Sequence, residues 1–199
     1  MLIFFETGYN CYDSFRKIFK EVGNSDKSTY TEILSAPDVV KELEDYDGGF
    51  YRAEKTYSRM VNDNLAYGLK GISHSSSVMN ARAITFIETM GYFTQSFESK
   101  YEGCNPVADS ILGFKYILDD PARSNSNSRM LDASYIKRFS TSYKKDKDVP
   151  ATVDIYENPN ALNIGYMADD DITILTGLGN DNPFNSLNNF LSSMTGNTF

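Results

Sequence analysis

Residues 50–56 read Phe50-Tyr51-Arg52-Ala53-Glu54-Lys55-Thr56, FYRAEKT, and the fold depends on how they are read. Phe50, Arg52 and Glu54 alternate with Tyr51, Ala53 and Lys55, the period of two that belongs to a strand. The strand so predicted carries charge on at least one face. Two roles are open for Arg52, Glu54 and Lys55. A guanidinium fork and a carboxylate can hold an anion or a sugar hydroxyl, and the same groups can close a cross-strand salt bridge.

Upstream, Pro37 and Asp38 predict the start of a helix that runs to about Tyr46 and stops at Gly48-Gly49. Before it, Phe15, Ile18, Phe19 and Val22 fall at i, i+3, i+4 and i+7, with Asp13 or Ser14 as N-cap, which predicts a helix turned toward a core. A polar bend over Gly23–Ser28 separates the two. Downstream, Val78–Met90 has helical phase and closes on Gly91, Pro106–Leu112 is a short helix ended by Gly113, and Phe114–Leu118 (FKYIL) is a buried strand. The polar stretch 122–147, opening with ARSNSNSRM, reads as a mobile surface insertion. Thr152–Tyr156 and Asn163–Met167 read as a hairpin around Glu157-Asn158-Pro159-Asn160, and Asn182-Pro183-Phe184 opens a last helix to Met194. Strands alternating with helices, then two strands close together, predict an α/β or α+β class: one compact domain over 1–199 with a mixed sheet flanked by helices.

Composition narrows the function. With 41% hydrophobic and 14% aromatic residues the chain has the means to fold, and its 199 residues are enough for one sizeable core. A formal net charge of −8 works against broad binding to nucleic acid or anionic headgroups, so no nucleic-acid partner is expected. The basic run Lys144-Lys145-Asp146-Lys147 reads as a solvated loop. Cys11 and Cys104 lack zinc-ligand spacing; a long-range disulfide and two unpaired thiols, at least one of them buried, both fit. MLIFF, at Met1–Phe5, is too short to span a bilayer, and no other run reaches the roughly 20 apolar residues required.

The single histidine, His74, stands in Gly71-Ile72-Ser73-His74-Ser75-Ser76-Ser77, a short way after Asn62-Asp63-Asn64. Serine, histidine and aspartate suggest a hydrolytic triad, which can assemble from any chain order. No nucleophile elbow accompanies them, and a serine-rich turn is the competing reading. Asp45–Gly49 and Asp169-Asp170-Asp171 lack calcium-loop spacing and read as a helix end and a hairpin tip, so neither a metal nor a cofactor is expected. Gly177 and Gly179 in TGLGN read as a turn. Tyr51, Tyr67 and Tyr116 lie near polar motifs and are placed either in the core or against a sugar.

Taken in order, FYRAEKT, NDN, YGLKGISHSSS, ADSILGFKYIL, IYENPNALNIGYM and NPFNSLNNFLSSMTG resemble the YfhO family of bacterial membrane proteins, with Asn163 standing where that family's turn ends in proline. The resemblance implies a polytopic glycosyltransferase of the C-type membrane fold that moves a sugar from a polyprenyl-phosphate carrier onto a cell-envelope polymer such as lipoteichoic acid. It implies that this chain is a segment of the extracytoplasmic portion, with MLIFFETGYN leaving a membrane helix and the membrane helices as partners. The family's catalytic acid is expected in a loop between membrane helices, so this segment is not expected to catalyse transfer alone. By motif position, contact with an acceptor glycan, a polyprenyl-phosphate sugar or a membrane-domain loop falls to Arg52, Glu54, Asn62, Asp63, Ser73, His74 and Ser75. The alternatives are a stand-alone hydrolase built on His74, Asp63 and a serine, and a structural domain without a ligand.

Overall fold

The structure, a computed structural model, describes residues 2–21, 27–102, 105–123, 131, 134–144, 150–174 and 182–198, with the side chains of 27–35 and 174 outside that set. The strand expected at FYRAEKT is β1 (Arg52–Lys55), and FKYIL is β5 (Phe114–Asp119), its parallel neighbour. The crossover between them contains α3 (Asp63–Tyr67), β2 (His74–Ser75), α4 (Ala81–Thr89), β3 (Phe93–Gln95), β4 (Glu98–Lys100) and α5 (Pro106–Leu112). β7 (Pro150–Glu157) pairs antiparallel with β5, and β6 (Ile136–Lys144) pairs antiparallel with β7. The result is a mixed sheet of order β1-β5-β7-β6 beside a small antiparallel sheet of order β2-β4-β3. With α1 (Leu2–Glu21), α2 (Lys27–Tyr46) and α6 (Pro183–Thr195), the class is the expected mixed sheet with flanking helices.

Each face of the main sheet carries its own core. On one face α2 lays Ala36, Val39, Val40 and Leu43 against Ala53, Tyr116, Leu118, Val153 and Ile155. On the other, Phe114 and Ile117 pack with Met90, Tyr92, Tyr101, Leu131, Tyr135, Leu187 and Phe190. A regular strand would send Phe114 and Tyr116 to the same side. The register shifts by one between Arg52↔Phe114 and Ala53↔Tyr116, a bulge at Lys115 that lets Phe114 join one core and Tyr116 the other.

Asparagine caps three of the helices through its side chain. Asn80 accepts from Arg82 N and Ala83 N, Asn105 from Val107 N and Ala108 N, and Asn182 from Phe184 N, each supplying an acceptor to otherwise orphan N–H groups. Pro106 and Pro183 follow two of these caps, where a missing N–H costs nothing. Gly113 ends α5 at φ 71°, and a side chain there would meet the Leu162 carbonyl oxygen at 2.8 Å, so the chain crosses where only glycine allows it.

Several expectations change. The first helix begins at Leu2, and none of its residues is buried: Phe15, Ile18 and Phe19 keep 60%, 55% and 62% exposure, so the apolar stripe joins neither core formed by the described residues. Its pattern records amphipathicity, which does not say what covers the stripe. The second helix does not start at Pro37 but runs through it from Lys27; the burial of Val39, Val40 and Leu43 on the following turns offsets the intrahelical bond lost at the proline. Of the bend expected over Gly23–Ser28, residues 27 and 28 are helical and the rest lies outside the described set.

The stretch expected as an insertion contains β6, whose inward Phe139, Thr141 and Tyr143 alternate with outward Arg138, Ser140, Ser142 and Lys144. Because the outward set is so polar, the average hides the alternation; residues 124–130 and 145–149, including most of ARSNSNSRM and the lysine run, lie outside the described set. The expected hairpin is absent, since β7 finds its partners in β5 and β6 and residues 163–167 form no strand. Asn62-Asp63-Asn64 caps and opens α3 instead of forming a loop, and Asp170–Ile174 is a 3-10 turn, not a hairpin tip. TGLGN falls wholly outside the described residues, as does Cys104, while Cys11 is exposed and unpaired.

One buried carboxylate ties the second core together. Asp109, on α5, accepts hydrogen bonds from the hydroxyls of Tyr92, Tyr101 and Tyr135, which come from three separate segments. Burial raises its pKa to about 6 even though the three hydroxyls pull it down. A raised acid pKa means that the folded state holds the proton more tightly, so its contribution is full below about pH 4 and is lost as pH rises through about 6. At about 1.4 kcal/mol per unit, the effect is on the order of 3 kcal/mol. Urea unfolding of wild type and Asp109→Asn should therefore show the difference moving in the variant's favour by about that amount between pH 4 and pH 7.

Candidate functional site

Glu54 has no exposed surface, although it lies on β1, an edge strand of the main sheet. Its carboxylate accepts from Ile72 N, from Ser73 N at 2.8 Å, from Asn64 Nδ2 at 3.0 Å, and from Ser73 Oγ and Lys55 N, each at 3.2 Å. Gly71 is fixed by this arrangement, because a Cβ there would lie 2.1 Å from Glu54 Oε1. The loop Gly71–Ser73 thus wraps a carboxylate with its backbone, as anion-binding nests do. Burial pushes the Glu54 carboxyl up, while the Ser73 amide, the Asn64 amide and the Lys55 charge pull it back.

Lys55, 3% exposed, is held from another side. Its Nζ donates to Tyr57 O at 3.0 Å and to Asp63 Oδ2 at 3.3 Å, and lies 5.6 Å and 5.4 Å from the ring centroids of Tyr57 and Tyr67, within cation–π range. Burial lowers the ammonium pKa, and the Asp63 and Glu54 carboxylates oppose that shift. Asp63 also accepts from Arg59 N at 2.7 Å and Met60 N at 3.1 Å, so one aspartate closes the turn before α3 and neutralises the lysine.

Asn62 completes the frame: its Oδ1 accepts from Ser75 N at 2.7 Å and its Nδ2 donates to Ser75 O at 3.1 Å. The side-chain amide takes the place of a strand along the edge of β2 that β4 leaves open. Ser73 Oγ accepts from Tyr101 N at 3.0 Å, and Ser99 Oγ donates to Ile72 O at 2.6 Å, which fastens the same loop to β4.

Glu54, Asp63 and Ser73 therefore belong to one buried polar framework, with Asn62 and Ser75 along its rim. Arg52 does not join them. Its Nη1 donates to Leu112 O at 2.9 Å, at the opposite end of the strand. His74 pairs with Ser99 through the backbone and lines a shallow depression with Leu65, Leu69, Met79 and Ile87; among the described residues no side-chain hydrogen bond joins its imidazole to Asp63 or to a serine. The cross-strand salt bridge considered for β1 is absent as well, because Lys55 finds Asp63 on α3 and not a residue of β5. Tyr51, Tyr67 and Tyr116 are core residues.

The framework walls a cavity of about 190 Å³ lined by Lys55, Thr56, Tyr57, Ser58, Val61, Ser73, Lys100, Tyr101, Glu102 and Arg123. It lies beyond the carboxyl end of β1, where Thr56 N still bonds Leu118 O of its parallel neighbour β5, the position at which open sheets with parallel strands place ligands. Most of these residues carry no local motif. Tyr101, Glu102 and Arg123 arrive by tertiary folding, whereas Lys55 and Thr56 lie in FYRAEKT and Ser73 in GISHSSS, the motifs that the sequence offers.

All 199 residues match the family model described as bacterial membrane protein YfhO. The chain belongs to that family. No curated protein and no solved structure gives a significant match. No helix among the described residues is long and apolar enough to cross a membrane.

If the Glu54 clamp sets the loop, two substitutions should act on it together. Glu54→Gln should cost about 2–3 kcal/mol, because an amide places a donor against donors, and Gly71→Ala about 1–3 kcal/mol by displacing the carboxylate. Amide exchange at Ile72 and Ser73 should accelerate in both, beyond the rise at β7.

Proposed function

We propose that this YfhO-family chain is a non-catalytic extracytoplasmic domain of a membrane glycosyltransferase, acting in acceptor binding or scaffolding while the parent protein transfers sugar from a polyprenyl-phosphate carrier to an envelope polymer such as lipoteichoic acid. The observation that carries the reading is α1: a 20-residue helix with Phe5, Tyr12, Phe15 and Phe19 along one stripe and no buried residue. A stripe of that kind needs a cover that neither core provides, and in a membrane-protein family the membrane portion is the available one.

The interior chemistry supports a supporting role over catalysis. Glu54 and Asp63 are both buried and committed to backbone amides, which leaves neither poised to exchange protons with a substrate. Among the described residues, no carboxylate partner orients His74 as a base.

Cells without the full-length protein should lose a sugar from an envelope polymer, and wild type and His74→Ala should restore it equally. Purified chain that cleaves model esters or glycosides, with the activity abolished by His74→Ala, would put the hydrolase in place of this reading. Phe5→Ser, Phe15→Ser and Phe19→Ser combined should leave the unfolding free energy of the chain within about 0.5 kcal/mol of wild type and impair the full-length protein in cells.

A further inference from the structure

We propose that the cavity beyond β1 holds one uncharged pyranose unit borne by the acceptor polymer, a proposal that rests on the acceptor-binding reading above and assigns it a place. Size sets the first limit. At about 190 Å³ the cavity falls below the roughly 300 Å³ at which sites for drug-sized ligands begin, so it takes a single ring and not an extended oligosaccharide.

Charge sets the second. Three cations line the cavity, Lys55, Lys100 and Arg123, which at first sight suits phosphate. Each already has a carboxylate that is not part of the lining: Asp63 for Lys55 at 3.3 Å, Glu98 for Lys100 at 2.5 Å and Asp120 for Arg123 at 3.4 Å. The lining itself adds Glu102. An anion would enter a field largely cancelled by those carboxylates and would face a further one. A neutral polyol meets oriented donors and acceptors without that cost.

The polar groups suit hydroxyls in both senses. An ammonium has three N–H donors, and Lys55 uses two of them, on Tyr57 O and Asp63 Oδ2. Ser58 and Glu102 are exposed at the cavity wall, a hydroxyl that both donates and accepts and a carboxylate that accepts. Tyr57, Tyr101 and Val61 supply the apolar wall that the carbon face of a sugar ring needs. Lys55, Tyr101 and Ser73 are held in place by the Glu54, Asp63 and Asp109 networks and Tyr57 by its burial in the first core, so the site is formed before a ligand arrives.

The test is a titration of the 199-residue chain, followed by backbone amide shifts, with methyl glycosides of common hexoses and N-acetylhexosamines and with inorganic phosphate. At least one glycoside should shift Ser58, Ser73, Tyr101 and Glu102 saturably. Val61→Trp, which fills the cavity from its lip, should abolish the response, and Glu102→Gln should weaken it at least tenfold, both with the dispersion of the remaining amides unchanged. Phosphate producing the same saturable shifts while every glycoside is silent would overturn the proposal in favour of an anion site, and silence from all probes at these amides would overturn it outright. Glycoside shifts confined to other surfaces would refute this location and leave acceptor binding intact, while the parent's role is decided separately by the sugar content of the envelope polymer in cells.

Discussion

A carboxylate buried at the edge of the sheet is the constraint around which the molecule is arranged. Placing Glu54 out of water carries a desolvation cost that only several donors can offset, and the chain supplies them from Gly71–Ser73, Asn64 and Lys55 itself. Once that loop is committed, β2 follows it, Ser73 and Ser99 fasten it to β4, and Asn62 closes the free edge. The small sheet is thus hung from the large one through polar contacts, while each face of the large sheet is filled by its own apolar core.

The same constraint separates what could be read from the sequence from what could not. β1 and β5 were legible because alternation and a compact apolar run are local signals, and α4, α5 and α6 because helical phase, Gly stops and the Asn182-Pro183 start are local too. β6 was hidden because its outward Arg138, Ser140, Ser142 and Lys144 dominate the local polarity, although the inward Phe139, Thr141 and Tyr143 keep the period of two. The hairpin expected after β7 failed for the opposite reason: Ile164 and Met167 supply apolar residues, but β7 already has a partner on each edge.

The candidate residues divided in the same way. Glu54, Asp63 and Ser73 were singled out as polar residues near one another in sequence, and they do converge, but toward the interior of the framework. Polarity in a motif does not tell whether a side chain serves the fold or a ligand, since both uses demand hydrogen-bonding groups in fixed positions. Tyr101, Glu102 and Arg123 had no local signature at all, because their relation to Lys55 and Ser58 exists only after the crossover has brought β4 and the end of β5 to the same place.

The outer strand β6 has a consequence for how the protein behaves when crowded. It is nine residues long, and one of its edges has no strand partner among the described residues, the situation that invites a second chain to add itself by backbone pairing. The register breaks between Lys137 and Phe139, which throws Arg138 out of step, and Lys144 stands at the far end. An irregular, cationic rim offers a poor template for continuation, and neighbouring copies have little incentive to join this sheet into a longer ribbon.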